Sequence, residues 1–333
     1  MQQPQMAREQ SVPSFAMELK APDISPYRVG NTGINYVHRF DSGEPGPHAL
    51  VNVITHGNEI CGAIALDFLF RQGIRPRRGV VTLCFANTAA YERFDPANPG
   101  ASRFVDEDFN RVWALETLEG RKRSVELERA RELRPVFEQA DFLLDVHSMS
   151  TASVPLMLCH GLEKERAFAL KVGYPSMIVC GPGHVEGLRM IEHSPFNNPA
   201  NPQVALLVEA GEHWAAATAV HALDTVLRFL AASGSLDFAD VEPHIADKVP
   251  PRPRLLEVTD GIVARTNRFR FTAPFVGCEV FEQVGSVIAY DGDREIVTPY
   301  DGAVLIMPNH SGPGPGRKGR LCRAVDERSA DGT

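Results

Sequence analysis

Residues 49–59 read ALVNVITHGNE, an apolar run from Ala49 to Thr55 that breaks at His56 into a helical pattern extending from Gly57 to Gln72. An apolar run of strand length reads as a buried strand, as in a parallel sheet covered by helices. A helix that follows at once supplies the crossover such a sheet needs. The same alternation recurs outward from this unit. Gly79–Ala86 (GVVTLCFA), Asp141–His147, Pro155–Cys159, Met177–Cys180 and Val204–Glu209 read as strands, while Ser124–Gln139 and about Trp214–Ala232 read as helices. Two earlier pieces, Phe15–Lys20 and Ile34–Phe40, are also strand-like. The expectation is an α/β fold of three layers, a mostly parallel or mixed sheet with helices on both faces.

The pattern changes after Asp237. KVPPRPR (Lys248–Arg254) is a proline-rich connector, and beyond it short alternating segments are punctuated by Gly261, Gly277, Gly285, Gly292 and Gly302. Such punctuation marks short strands joined by turns. The expected organisation is an α/β domain over 1–240 that carries the chemistry, a linker over 241–253, a small all-β domain over 254–325 and a solvated tail over 326–333.

Composition narrows the function classes. The 333 residues include 42 acidic and 34 basic side chains, a formal net charge of −8. A general nucleic-acid binder usually has the opposite balance, although a local basic pocket remains compatible. The six cysteines (61, 84, 159, 180, 278, 322) form no C-x-x-C pair, so no disulfide framework is expected. MQQPQMAREQSVPSF lacks the apolar centre of a signal peptide. The best spanning candidate, 214–232, is broken by His221, Asp224 and Arg228, so no membrane partner is expected and the cytoplasm is the expected compartment. The stretch from Asn87 to Val112, with Pro96 and Pro99, is a long loop of the kind that commonly carries function.

Four motifs place reactive side chains where that fold concentrates ligands, at the carboxyl ends of strands. In THGNE, His56 ends a strand and Glu59 follows three residues on, expected in the first helical turn, where the two side chains can meet one ion. A capped helix start with an acid favoured by the helix dipole accounts for the same pair. FLLDVHSMS sets Asp145 and His147 on one side of a strand end. Two histidines and a glutamate form a catalytic zinc set with an open fourth position. Asp145 would orient the histidine from behind, or is a polar strand-end residue. In VALLVEAGEHW, Glu209 is a candidate general base for activated water, and Glu212, past Gly211, is its competitor, expected to cap the next helix. SRFVDEDFNRVW offers Arg103, Asn110 and Arg111 as donors to a carboxylate or an oxyanion, or as part of a solvated surface. A serine nucleophile is not favoured, since no G-x-S-x-G elbow is present.

HGNE, EDFNR after an arginine, LLDVH and VEAG, in that order, resemble the succinylglutamate desuccinylase/aspartoacylase family of the zinc carboxypeptidase-like superfamily. The likeness covers roughly 48–232, and the trailing small β-domain fits it as well. It implies that His56, Glu59 and His147 bind one zinc ion per chain and that Glu209 is the catalytic acid/base. It further implies that Arg103 polarises the scissile carbonyl while Asn110 and Arg111 hold a substrate carboxylate. The implied activity is hydrolysis of an N-acyl amino acid or a similar small carboxylated amide, with homo-oligomerisation left open. A carboxypeptidase acting on peptide C-termini and a catalytically silent metal-binding protein are the alternatives. Two imidazoles and a carboxylate also suit Co²⁺ or Mn²⁺. The loop Tyr91–Ala101 reads as an elaboration over the pocket. Arg189, in GHVEGLRM, is a candidate for the further arginine with which aspartoacylase grips its ligand, with a surface arginine as the other reading.

Overall fold

The computed structural model describes residues 16–183, 187–310 and 314–325. Before the proline-rich connector these form β1 (Val37–Asp41), β2 (His48–Val53), α1 (Cys61–Gln72), β3 (Val80–Phe85), α2 (Thr88–Tyr91), α3 (Leu115–Leu118) and α4 (Val125–Phe137). Next come β4 (Phe142–Met149), β5 (Leu156–Cys159), α5 (Glu163–Val172), β6 (Met177–Cys180), β7 (Val204–Glu212), α6 (Ala216–Ser233) and α7 (Phe238–Val241). After the connector come β8 (Arg254–Ala264), β9 (Phe269–Phe271), β10 (Glu279–Phe281), β11 (Val287–Asp291), β12 (Arg294–Val297), β13 (Ala303–Ile306) and β14 (Gly316–Ala324).

One sheet of 11 strands organises the described residues, in the order β1-β3-β2-β4-β7-β5-β6-β8-β14-β13-β10. Its centre is parallel through β3, β2, β4 and β7, whereas β5 runs antiparallel to β7. Period-two alternation sorts the apolar side chains between the two faces. Val51, Val53, Leu144, Leu206 and Val208 pack in one buried cluster with residues of α1, α5 and α6. Leu50, Leu143, Ala205 and Leu207 share the opposite cluster with Leu127, Ala130, Leu133 and Phe137 of α4. Each fully buried Val, Leu or Phe side chain is worth about 1.5–3 kcal/mol, so covering both faces is what holds the parallel centre together. The expected three layers are present.

The strands after the connector divide between two sheets. β8 pairs in parallel with β6, from Met177 opposite Arg254 to Cys180 opposite Glu257, so β8, β14, β13 and β10 extend the large sheet. β12, β11 and β9 form a separate three-stranded antiparallel sheet. This continuity brings β14 to the same cavity as the strand ends of the α/β part.

Several local expectations are corrected. Residues 16–20 are not a strand: Glu18 and Leu19 donate their N–H groups to the Trp214 carbonyl at 3.0 and 3.2 Å. Glu18 then accepts the N–H of Ala216 at 2.8 Å and so caps α6. Glu212 therefore does not cap that helix; it is the last residue of β7, paired with Met149 across a bulge. Phe15, the residues before it and the tail over 326–333 lie outside the described residues. Helix α5 (EKERAFALKV), absent from the sequence reading, is half charged and buries Phe168, Ala169 and Val172 against the sheet. Among the described residues no helix is long and apolar enough to cross a membrane.

Candidate functional site

The chain leaves β2 through Ile54, a β-branched residue at φ 52°. That conformation costs on the order of 1–3 kcal/mol and is tolerated where the surroundings impose it. Here Asn87 donates its N–H to the Ile54 carbonyl, and the side chain is fully buried. The kink hands the chain to a tight turn in which Glu59 N–H donates to the His56 carbonyl at 3.1 Å. Helix α1 begins only at Cys61, so Glu59 belongs to this turn and not to the first helical turn. Gly57 makes the turn possible. A Cβ there would sit 2.4 Å from the Ser102 carbonyl oxygen and 2.5 Å from the Ala90 carbonyl carbon. Its N–H donates to the Arg103 carbonyl, which pins the long loop to the turn.

The carboxylate of Glu59 stands between two imidazoles. Its Oε1 lies 2.7 Å from His56 Nδ1 and its Oε2 lies 2.8 Å from His147 Nδ1. All three residues are buried, and their ligating atoms lie within 4.8 Å of one another. The far nitrogen of each ring is engaged by a second carboxylate: His56 Nε2 with Asp108 Oδ1 at 3.0 Å, His147 Nε2 with Asp145 Oδ2 at 2.7 Å. Asp145 is itself fixed by donors from Asn52 and Thr55 at 2.9 and 2.7 Å. Such backing leaves Nδ1 of each ring facing the shared point.

The charge balance of this cluster favours a cation. Burial opposes ionisation of Glu59, yet the neighbouring His56 and His147 rings hold its carboxyl well below the ordinary range. Burial likewise opposes protonation of His147, but Asp145 and Glu59 hold its imidazole well above the usual histidine value. A buried imidazolium between two carboxylates occupies the place that a metal ion takes when it displaces the ring proton. Two nitrogens and one carboxylate oxygen are a donor set that zinc accepts, so the residues fit the ion that the sequence implies.

The other expected side chains gather around this point. Arg103 donates to Glu59 Oε1 and Asp108 Oδ2, each at 3.2 Å. Glu209, opposite His147 in the β4–β7 register, is buried, and its Oε2 has no hydrogen-bond partner. Burial, with help from Glu59 and Asp145, pushes its carboxyl up to about 8. Asn110 lines the pocket, but its amide is largely engaged, accepting from Met190 N–H at 2.7 Å and lying 3.3 Å from His147 Nε2. Arg111 lines the same pocket and donates to the Asn110 carbonyl.

Arg189 is not a surface arginine. It is 4 % exposed, lines the pocket and donates from Nε to the buried Glu192 carboxylate at 3.0 Å. The loop Tyr91–Ala101 contributes none of the described lining residues; it packs behind the His56 turn. Three features escape the sequence reading. Asp108, within the acidic run DEDFN, orients His56. His213 lines the pocket, bonds Ser148 Oγ through Nδ1 at 2.8 Å, and is pushed down to about 4 by burial. Arg317 and Arg320 reach the pocket from β14.

Fold and site together define a mixed-sheet α/β protein with a buried His–Glu–His cluster at the carboxyl ends of its central strands. The profile of the succinylglutamate desuccinylase/aspartoacylase catalytic domain matches residues 45–232, more than half of the chain, and the chain belongs to that family of amide-hydrolysing enzymes. The succinylglutamate desuccinylase/aspartoacylase of Rhodobacter sphaeroides has a similar structure, with TM-score 0.63 and 20% identity over 85% of this chain and 87% of that one. The succinylglutamate desuccinylase of Vibrio parahaemolyticus aligns with TM-score 0.60 and 15% identity over 88% and 87% of the two chains. The product-bound ectoine utilization protein EutE (DoeB) of Ruegeria pomeroyi gives 0.58 and 18% over 85% and 86%. At these identities the likeness speaks for the fold alone. No curated protein matches the chain.

Proposed function

We propose that the chain is a zinc-dependent deacylase that hydrolyses the amide bond of an N-acyl amino acid or a related small carboxylated amide. The observation that carries this reading is the convergence of His56 Nδ1, the Glu59 carboxylate and His147 Nδ1, each ring held from behind by a carboxylate. A zinc ion held by these three would supply Lewis-acid activation of a water and of the amide carbonyl, and a field that favours the ionised form of Glu209.

The chain's own groups do the rest. Glu209 accepts the proton of the attacking water and returns it to the departing amine nitrogen. Its free Oε2 is the atom available for both transfers. Arg103 turns its guanidinium from Glu59 and Asp108 toward the oxygen on which negative charge grows. Asn110 and Arg111 hold a substrate carboxylate and so set the reach of the amide into the site. Asp108 and Asp145 keep the two imidazoles in the tautomer that presents Nδ1.

The testing experiment combines metal analysis with a substrate panel. Protein purified without chelator or polyhistidine tag is expected to carry about one zinc per chain by plasma mass spectrometry, as a single three-ligand site requires. It is expected to release amine from N-acyl amino acids and not to cleave a blocked tetrapeptide. No metal after zinc reconstitution, or turnover of the peptide alone, would overturn the reading. Within the panel, Arg103→Ala is expected to lower kcat by at least ~100-fold, the usual cost of one oxyanion donor. Arg111→Ala should chiefly raise KM, because it removes ground-state binding.

A further inference from the structure

His213 lines the same cavity as the His–Glu–His cluster, yet neither the proton transfers of Glu209 nor the carboxylate contact of Asn110 and Arg111 uses it. Its place is set by a bulge. Between the pairs His147–Glu209 and Met149–Glu212, β4 has one residue, Ser148, and β7 has two, Ala210 and Gly211. Gly211 takes φ 125°, and a Cβ there would meet Thr218 Oγ1 at 2.9 Å, so the bulge needs a glycine. Bulges concentrate beside active sites, where they re-aim the side chains around them.

The re-aimed ring is held firmly. The His213 N–H donates to the Met149 carbonyl at 2.8 Å, and Nδ1 lies 2.8 Å from Ser148 Oγ. The ring packs on Trp214 with centroids 5.3 Å apart, and Trp214 Nε1 donates to the Asn58 carbonyl at 3.2 Å. Ser148 donates its own N–H to Glu59 Oε2 at 3.1 Å, so a single residue separates the imidazole from the triad carboxylate. His213 is 3 % exposed, and its Nε2 has no hydrogen bond among the described residues. Burial pushes the imidazole down to about 4, so at neutral pH the ring is uncharged, with one nitrogen donating and the other accepting.

His213 and the pair Asn110–Arg111 approach the triad from opposite sides of the sheet. Side chains alternate between the faces of a strand. Val146 packs with α1 and α6, which sets Ser148 on that side, whereas Leu143 packs with α4 and sets Asp145 and His147 on the other. Trp214 packs on the first cluster, while Phe109 and Val112, which bracket Asn110 and Arg111, belong to the second. An amide anchored by its amine half through Asn110 and Arg111 therefore turns its acyl half toward His213. The lining continues from Ser148 through Met149, Ser150, Thr151 and Ser153, and Ser153 Oγ is buried without a partner. Hydroxyls and a neutral imidazole, with no charged group among them, suit an acyl chain that carries an uncharged hydrogen-bonding group.

We propose that His213 selects the acyl group, hydrogen-bonding through Nε2 to a hydroxyl on the carbon next to the scissile carbonyl, so that the preferred substrate is a 2-hydroxyacyl amide of an amino acid. The placement of the acyl and amine halves rests on the deacylase reading. A hydroxyl both donates and accepts, so it satisfies Nε2 in either tautomer of the ring. An alkyl group of the same size leaves that nitrogen buried and unpaired, and a site built to bond a hydroxyl rejects such an analogue.

The experiment compares N-glycolyl with N-propionyl derivatives, which differ by a hydroxyl in place of a methyl, over a panel of amino acids with the full zinc-loaded chain. In the pairs that are hydrolysed, kcat/KM is expected to favour the glycolyl member by about 10- to 100-fold, the range for a buried hydrogen-bonding group left unpaired. In His213→Phe, which keeps a flat ring without nitrogens, the ratio should fall to near one. His213→Gln, whose amide nitrogen reaches the position of Nε2, should restore part of it. Coordination of the hydroxyl by zinc alone would preserve the ratio in His213→Phe, and that result overturns the proposal. A wild-type ratio of one or below in every pair overturns it whether or not the variants fold. A binding arm reads dissociation constants of the same pairs by calorimetry on zinc-loaded Glu209→Gln, in which turnover is blocked. Tighter glycolyl binding there, abolished by adding His213→Phe, in a protein whose wild type hydrolyses neither member, supports the selecting role while refuting the deacylase reading. Hydrolysis of both members without preference refutes the selecting role and leaves the deacylase reading standing.

Discussion

His147→Ala is expected to leave the chain folded and almost free of zinc, with deacylase activity at background. The argument starts from the two carboxylates that grip this ring, Glu59 at Nδ1 and Asp145 at Nε2. Removing the imidazole takes away one of three protein ligands and leaves Glu59 and Asp145 facing a void, so the site loses both a donor and its geometry. Asp145→Asn is the graded companion. It keeps the ligand but turns an acceptor into a group that also donates, and loss of such backing typically costs about 10- to 100-fold in metal affinity. Plasma mass spectrometry and competition with a zinc chelator read both effects. Full zinc occupancy in His147→Ala would show that the ion sits elsewhere. Unchanged affinity in Asp145→Asn would remove Asp145 from the orienting role and leave it a buried strand residue.

The central strands and the metal-type triad were legible in the sequence for one physical reason. A strand buried on both faces is an apolar run, and a polar residue at its end stands out against it. ALVNVIT followed by His56, FLLDV followed by His147, and VALLV followed by Glu209 are three instances of that contrast. Helix α5 offered no such contrast, since its apolar run of four residues, Ala167–Leu170, is flanked by charged side chains and too short to read as a helix by itself. Asp108 was hidden for the opposite reason: in an acidic run each carboxylate resembles its neighbours, and only the folded loop shows that this one reaches His56. The strand expected over 15–20 failed because alternation in a short segment does not supply a partner strand; Trp214 and α6 took its N–H groups and its carboxylate instead. Arg320 lies beyond any local reading. It joins the cavity through β14, the parallel β6–β8 pairing and the strands between, a set of contacts that sequence spacing does not encode.

Glu209→Gln is expected to retain zinc, lose turnover by about 10²- to 10⁴-fold, and stabilise the metal-free protein. The first two effects follow from the proton transfers assigned to the carboxylate, which an amide of the same shape cannot perform. The third separates this reading from a structural one. Glu209 is buried with an unpartnered oxygen, and its carboxyl is pushed up to about 8 from an ordinary value of 4.5. The folded chain then binds more protons than the unfolded chain between those two values, so wild-type stability falls as pH rises through that window. Below it the protonated acid is accommodated and the two proteins are nearly equal. Toward its upper end the wild type carries a penalty of a few kcal/mol, at about 1.4 kcal/mol per pH unit, that glutamine never incurs. Denaturant midpoints of chelated protein at pH about 5 and about 8 should show the gap opening with pH. A gap of the opposite sign would mean that the carboxylate is held by partners and serves the fold. The cost has a purpose on this reading: a carboxylate left without hydrogen bonds beside a metal-type triad destabilises the empty site, and the same missing bonds leave it able to take and return a proton.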